Sequence, residues 1–311
     1  MKIQEQISLK QYCTFKIGGP ASFFVEVTTK DELKEAIVWA NKRQKKFFIL
    51  GGGSNVLFMD SGFDGLVIKL KNTGYEKLDK YQLECQAGEM LGTVVQKSLE
   101  LGWSGLEWAT GIPGTVGGAI RGNAGAFGKE MKDVVVMVEA VKIVDNEIKI
   151  KMYGAKECEF GYRTSFFKEA GNLIIWKGKF KLAKGNKEKS AQLAKEILSK
   201  RKNGHPAGAK SAGSMFKNPL APVKVIKLFE EEKETTSQNG KVPAGWLIER
   251  CGLKGMRIGG AEVSKQQANF IINRGNATSE EIIILLSLIK TKVRNKFGIK
   301  LEEEVQIVHN S

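Results

Sequence analysis

At 311 residues, the chain is long enough for two or three domains, and a hydrophobic content of 42% excludes a disordered polymer. Its four cysteines (Cys13, Cys85, Cys158, Cys251) are dispersed and form no C-x-x-C pair, and only His205 and His309 could join them, so neither a metal site nor a disulfide framework is expected. The formal net charge of +15 calls for an anionic partner, but the lysines are scattered, without interleaved aromatics or a nucleic-acid-binding motif, so a phosphorylated small molecule is expected rather than nucleic acid.

The start, MKIQEQISLK, has no apolar signal core, and the longest apolar run, IIILLSLI at 282–289, is too short to span a bilayer. A cytoplasmic protein without membrane insertion is expected. FFVEVTT (23–29) reads as a strand, followed by a helix over 31–44 with Leu33, Ala36, Ile37 and Ala40 on one face and Asp31 as N-cap. FFIL (47–50) is a short strand that runs into GGGSN (51–55), closing a β-α-β unit. GLVIKL (65–70) and YQLECQAG (81–88) read as further strands, and 90–102 as a helix closed by Gly102. VVVMVEAVKIV (134–144) and EIKIKMY (147–153) form a hairpin around Asp145-Asn146. LIIWKGKFKL (173–182) is a strand, 183–202 an amphipathic helix and 203–213 a loop. The composition changes near 184–203, which marks a domain boundary. Beyond it lie a short helix (245–253), a strand (270–275), a long helix (279–298) with acids first and bases last, and a final strand (301–308).

Two glycine clusters follow strands. GGGSN is one; GIPGTVGGAIRGNAGAFG (111–128) is the other, with seven glycines and a single ionisable side chain, Arg121. Glycine costs conformational entropy, so such a run needs a reason. Backbone N–H groups in tight turns make anion-binding concavities, and a missing side chain lets a phosphate approach. A Rossmann site fails, because Val56 stands where G-x-G-x-x-G needs its third glycine, and no G-K-[ST] occurs for a Walker loop. Two bare-backbone surfaces point to a long ligand with a diphosphate and a flat ring system.

These motifs, with TFKIGGPA (14–21), LGGGSNVL (50–57), GYRTSFF (161–167), SAGSMFKNP (211–219), AGWLIERCGLKGMRIGGAEVS (244–264), FIINRGNAT (270–278) and LEEEV (301–305), strongly resemble the UDP-N-acetylenolpyruvoylglucosamine reductase (MurB) family over nearly the whole chain. The short interval from Arg163 to Ser214 resembles the subclass lacking an extra substrate-covering loop. The resemblance implies an α+β fold: a vanillyl-alcohol-oxidase (PCMH)-type FAD-binding domain in two lobes plus a C-terminal α/β substrate domain. The expected divisions are 1–65 (joined by 300–308), 66–202 and 203–299. It also implies FAD as cofactor, NADPH as co-substrate and a UDP-sugar as substrate. Covalent flavin attachment in this broader fold uses histidine or cysteine, and neither occurs in 50–57 or 111–128, so FAD is expected to be noncovalent. The expected cofactor-binding residues are Gly51, Gly52, Gly53, Ser54 and Asn55, then Gly111, Ile112, Pro113, Gly114, Thr115, Gly117, Gly118, Asn123, Ala124 and Gly125.

The family reaction is a hydride addition to C3 of the enolpyruvyl ether and protonation at C2, and it needs side chains that the flavin does not supply. By resemblance Arg163 stabilises the developing enolate and carboxylate, for which a bidentate, permanently charged fork is suited. Ser214 is the matching proton donor, a hydroxyl whose role requires a nearby cation or relay. Glu304 is the matching acid of LEEEV; on a strand it would share a face with Glu302, opposite Glu303. Lys217, Asn218, Arg257 and Gln267 are further substrate-binding candidates. The chain departs from the family pattern at Gln267, where histidine is common, at Lys210, where proline is common, and at Arg121, where the family carries an uncharged residue. Another FAD-dependent oxidoreductase of the same fold, or a basic nucleic-acid-binding protein, remain alternatives, and the sequence specifies no oligomeric state.

Overall fold

A computed structural model describes residues 1–206 and 208–310. The chain forms two compact units: Met1–Ile7, Ala21–Gly52 and Asp64–Arg201 make the first; Ser8–Pro20, Gly53–Phe63 and Lys202–Ser311 make the second. Helix and strand are mixed throughout, giving an α+β chain.

The first unit carries two sheets. The four-stranded one has the order Gln4–Ser8, Pro20–Val27, Phe63–Leu70, Lys46–Leu50. Lys46–Leu50 runs parallel to Phe63–Leu70, with Phe48 opposite Val67. The β-α-β unit read from the sequence is therefore opened by a later strand, since Phe63–Leu70 lies between the two strands that flank the helix. That helix, Lys30–Lys42, buries Leu33, Ala36, Ile37 and Ala40 as expected, but its N-cap is Thr29 rather than Asp31. Thr29 Oγ1 accepts from Glu32 N at 3.1 Å, and the Glu32 carboxylate accepts from Thr29 N at 3.2 Å. This reciprocal pair needs an acid three positions after the cap, which leaves Asp31 in the first turn beside the positive end of the dipole.

The five-stranded antiparallel sheet has the order Glu147–Gly154, Val135–Val144, Ile174–Lys181, Gln82–Gln86, Tyr75–Leu78. Its hairpin turns at Asp145 and Asn146, with φ of 51° and 61°, the two left-handed residues of a tight turn that matches the strand twist. The helix Leu91–Glu100 buries Leu91, Val94 and Val95 and ends at Gly102, with φ of 67°. One cluster of buried side chains runs from Val25, Leu33 and Ile68 through Leu83 and Val94 to Val138, Trp176 and Phe180. Cys85 lies in it, and burial pushes its thiol up to about 12.

The second unit is built around the helix Ser279–Phe297, which buries Ile282, Leu285, Leu286, Ile289, Val293 and Phe297. Thr278 and Glu281 form its capping box, and Gly298, at φ 69°, closes it. Beside it stand a three-stranded antiparallel sheet of Arg257–Ile258, Ala261–Val263 and Ile271–Asn273 and a parallel pair, Gln306–Val308 on Val56–Phe58. The final strand expected over 301–308 is interrupted. Glu303 bridges to Phe216 in antiparallel sense, whereas Gln306 joins Val56 in parallel sense, so the ladder changes partners between them. The helix Val223–Lys233 had no counterpart in the sequence reading. Among the described residues no helix is long and apolar enough to cross a membrane, and no group of three metal-ligating side chains converges.

Candidate active site

In the first unit, the turn after Lys46–Leu50 meets the second glycine stretch at very short range. A methyl group on Gly51 would stand 2.7 Å from Thr115 Oγ1, and one on Gly52 2.6 Å from Gly114 Cα. Only bare backbone allows the two segments to approach so closely. Gly111 and Gly114, at φ 79° and 115°, also occupy the left-handed region. Among the described residues no protein acceptor meets the N–H of Gly52, Gly114 or Thr115, so three donors are left for a ligand or water.

Part of the glycine stretch serves packing instead. Residues Val116–Arg121 form a short helix with Thr115 Oγ1 accepting from Gly118 N, where the sequence pattern indicates no element. Gly117 N–H donates to Ala87 O at 2.9 Å, and a methyl on Gly117 would lie 2.9 Å from Ala87 Cβ. Asn123 is fully buried; its carboxamide donates to Glu130 Oε2 at 2.9 Å and Gly161 O at 2.8 Å and accepts from Lys132 N at 3.0 Å. Ala124 N donates to Ala119 O at 2.8 Å, and Gly125 pairs with Glu130. Ile112 N donates to Ala109 O at 3.0 Å. Pro113 lies between the left-handed Gly111 and Gly114.

Two cations that the sequence did not single out accompany these loops. Lys69 Nζ donates to Gly51 O, and burial is the chief cause holding its ammonium below the ordinary lysine range. It is the one half-exposed position in an otherwise buried stretch of strand, a weak signal at best. Arg201 Nη2 donates to Trp108 O at 3.3 Å, its guanidinium lies 5.2 Å from the Phe127 ring centroid, and its Cδ would meet a methyl on Gly111 at 3.2 Å.

Arg163 sits in the turn Gly161–Thr164, with φ of 60°. A left-handed conformation costs a non-glycine residue on the order of 1–3 kcal/mol and persists where neighbours impose it. Here Nη2 donates to Gly125 O at 2.9 Å, the guanidinium lies 5.2 Å from the Tyr162 ring, and Lys168 Nζ donates to Arg163 O at 3.0 Å. The small Gly125 is required again, since a methyl there would be 2.8 Å from Lys129 O, besides crowding Arg163 Nη1 at 3.2 Å.

In the second unit, Ser214 and Glu304 are carried by adjacent segments. Ser214 bridges to Phe270, Met215 N donates to Asn269 O at 2.8 Å, and Glu304 N donates to Met215 O at 2.8 Å. The buried Asn269 carboxamide accepts from Phe216 N at 3.0 Å and donates to Phe216 O at 2.9 Å, fixing the middle segment. The preceding Gly213 takes φ 79°, and Thr14 Oγ1 donates to Ser211 O at 2.7 Å. Gly53, at φ 66°, is buried under Tyr12 O and accepts from Thr14 N at 2.9 Å. Ser54 follows it, and Asn55 Nδ2 donates to Glu304 O at 3.1 Å. The neighbouring acids have other partners: Glu302 pairs with Lys217 at 2.5 Å and Glu303 with Lys290 at 2.8 Å.

Ser214 lines a cavity of ≈ 420 Å³ together with Asn218, Gln267, Lys233 and Trp246. Asn218 Oδ1 also accepts from Ala244 N at 3.0 Å, at the start of the helix Ala244–Arg250, and Gln267 Oε1 accepts from Asn269 N at 3.2 Å. Trp246 is buried, and its Nε1 has no acceptor among the described residues. Lys217 and Arg257 do not line this cavity. Arg257 is drawn to Glu262, 2.5 Å away, which Arg274 grips bidentately at 2.9 and 2.8 Å.

Residues 205–308 match the family described as UDP-N-acetylenolpyruvoylglucosamine reductase, C-terminal domain, and residues 21–150 match an FAD binding domain. The UDP-N-acetylenolpyruvoylglucosamine reductase of Protochlamydia amoebophila is 39% identical over 312 residues, covering 99% of this chain and 96% of its own. The chain belongs to the UDP-N-acetylenolpyruvoylglucosamine reductase family. The reductase of Carboxydothermus hydrogenoformans is 38% identical over 98% of this chain and 94% of its own. The crystal structure of the Thermus caldophilus reductase superposes with a TM-score of 0.79, at 33% identity, over 99% of this chain and all of that one. The α+β fold with an FAD-binding domain expected from the sequence is thus the fold of this reductase family. The residues present fit the cofactor: Gly51 and Gly52 have no room for a Cβ against Thr115 and Gly114, and the unmet amides of Gly52, Gly114 and Thr115 suit diphosphate oxygens.

Proposed function

We propose that the protein is the NADPH-dependent, FAD-containing reductase that converts UDP-N-acetylglucosamine enolpyruvate to UDP-N-acetylmuramate for peptidoglycan synthesis. The observation that carries this reading is the likeness to reductases of that name along 98–99% of the chain. Bound noncovalently, FAD supplies a two-electron carrier between NADPH and C3 of the enol ether. The free amides of Gly52, Gly114 and Thr115 hold its diphosphate, with the rest of residues 51–55 and 111–118 shaping the backbone around them and Asn123, Ala124 and Gly125 the end of the second loop. We assign FAD binding to residues 1–65 with 300–308 and to 66–202, and substrate binding to 203–299.

Arg163 meets the substrate carboxylate and the negative charge that develops at C2. Its guanidinium is held in place before substrate arrives, so no reorganisation is needed as charge builds. Ser214 delivers the proton to C2 from the wall of its cavity, and Glu304 assists by hydrogen bonding or acid catalysis at the enol. Asn218 and Gln267 offer amides to the sugar nucleotide from that wall, while Lys217 and Arg257 add positive charge from positions outside it. Both substrates are water-soluble anions, which fits a cytoplasmic enzyme whose basic surface serves them rather than nucleic acid.

The test is anaerobic spectroscopy. NADPH should bleach the yellow protein, and the enolpyruvyl sugar should restore the colour at a rate compatible with turnover. Reduced protein that stays colourless with that sugar would reject the substrate assignment.

A further inference from the structure

We propose that Asn55 is a positioning residue for Glu304, an inference that rests on the reading of Glu304 as the assisting acid. The chain around Glu304 passes from one sheet partner to another. Up to Glu303 it pairs with Phe216 in antiparallel sense, and from Gln306 it pairs with Val56 in parallel sense. Glu304 and Val305 fall in the gap between the two ladders. Glu304 N–H is met by Met215 O at 2.8 Å, from the antiparallel side. Its carbonyl is met by a side chain: Asn55 Nδ2 donates to it at 3.1 Å. Asn55 O then accepts from Gln306 N at 3.0 Å and starts the parallel ladder.

One residue therefore holds both peptides that flank Val305: the one that begins at the Glu304 carbonyl and the one that ends at the Gln306 amide. The direction of the Cα–Cβ bond at Glu304 follows the orientation of the two peptide planes around it. A carboxamide that fixes one of those planes sets where the carboxylate is delivered. Asn55 is itself the last residue of GGGSN, and Gly53, two residues earlier, is anchored by Thr14 N at 2.9 Å. The glycine loop and the acid are thus joined through one side chain. A displacement of the carboxylate of about 1 Å is enough to slow a proton-transfer step up to a hundredfold.

The experiment uses the FAD-loaded enzyme and the variants Asn55→Ala, Glu304→Gln and the double variant. Flavin reoxidation by the enolpyruvyl sugar is followed anaerobically across pH, alongside FAD retention and thermal melting. Asn55→Ala should slow reoxidation roughly ten- to a hundredfold. It should alter the pH profile in the same sense as Glu304→Gln. The double variant should be no slower than Glu304→Gln alone, since the two act through one group. If alanine prevents folding, Asn55→Asp keeps the volume and removes the donor, and the same pattern is expected. Effects that multiply in the double variant, or a loss confined to FAD retention and melting temperature, would overturn the positioning role while leaving Glu304 in place. A Glu304→Gln enzyme that reoxidises normally would overturn the acid assignment and the inference together.

Discussion

Gly52 lies so close to Gly114 that a methyl group on the first would stand 2.6 Å from the Cα of the second. The approach joins two segments more than fifty positions apart at the proposed diphosphate site. Gly52→Ala must push them apart, and FAD affinity should fall at least tenfold, read by titrating apoprotein with flavin and following fluorescence quenching. Gly92 is the control, because its Cβ would point into open space from the helix Leu91–Glu100. Gly92→Ala should raise stability by about 0.5–1 kcal/mol and leave the flavin titration unchanged.

Lys69 ties Gly51 O to the strand beneath it. Lys69→Met keeps the stem but removes the donor and the charge. Flavin affinity should drop roughly ten- to a hundredfold, about the value of one charged hydrogen bond. The residual affinity should depend less on ionic strength than in the wild type. Equal salt dependence in both proteins would exclude an electrostatic role.

Ser214→Ala separates the two halves of the cycle. Reduction by NADPH should proceed, while reoxidation by the enolpyruvyl sugar should slow by roughly 10²–10⁴-fold, the usual contribution of a positioned proton donor. Equal losses in both halves would point to a role in binding or folding instead.

Glu262 is buried, and the Arg274 hydrogen bonds, followed by that of Arg257, hold its carboxyl below the ordinary glutamate range. A depressed folded value means that the unfolded chain binds the proton first. The pair's stabilisation is then fully present above the ordinary glutamate range and is lost as pH falls through the folded value. Glu262→Gln should lower stability at pH 7 by about 1–3 kcal/mol, and denaturant midpoints should show a flatter acid limb than the wild type. Arg257→Ala should show part of the same loss, because its guanidinium contacts this carboxylate at 2.5 Å.

The elements with strong periodicity or explicit turn chemistry were legible in the sequence. The helix Ser279–Phe297 announced itself through its apolar face and end charges, and the hairpin through Asp145-Asn146. The helix Val223–Lys233 did not, because its buried stripe is only Val225 and Phe229 among charged neighbours. The helix Val116–Arg121 runs against glycine's propensity and depends on the Thr115 cap and on packing at Ala87. At the candidate site, motif order pointed to Arg163, Ser214 and Glu304, but not to what holds them. Arg163 is set by Gly125 O, and Glu304 by a carboxamide 249 positions away in the chain. Contacts of that range follow from the fold, and no local pattern encodes them. The same holds for Lys69, one lysine among many until the strand brings it under Gly51.

The parallel pairing of Ile307 with Leu57 also has a consequence for biogenesis. A ribosome adding 5–20 residues per second needs on the order of 10–50 s to make the about 250 residues between the two partners. Throughout that interval the nascent segment Val56–Phe58, entirely buried in the finished molecule, waits with an unsatisfied edge. Chaperones that shield apolar strands should therefore engage this segment during synthesis, and release should track the arrival of Gln306–Val308.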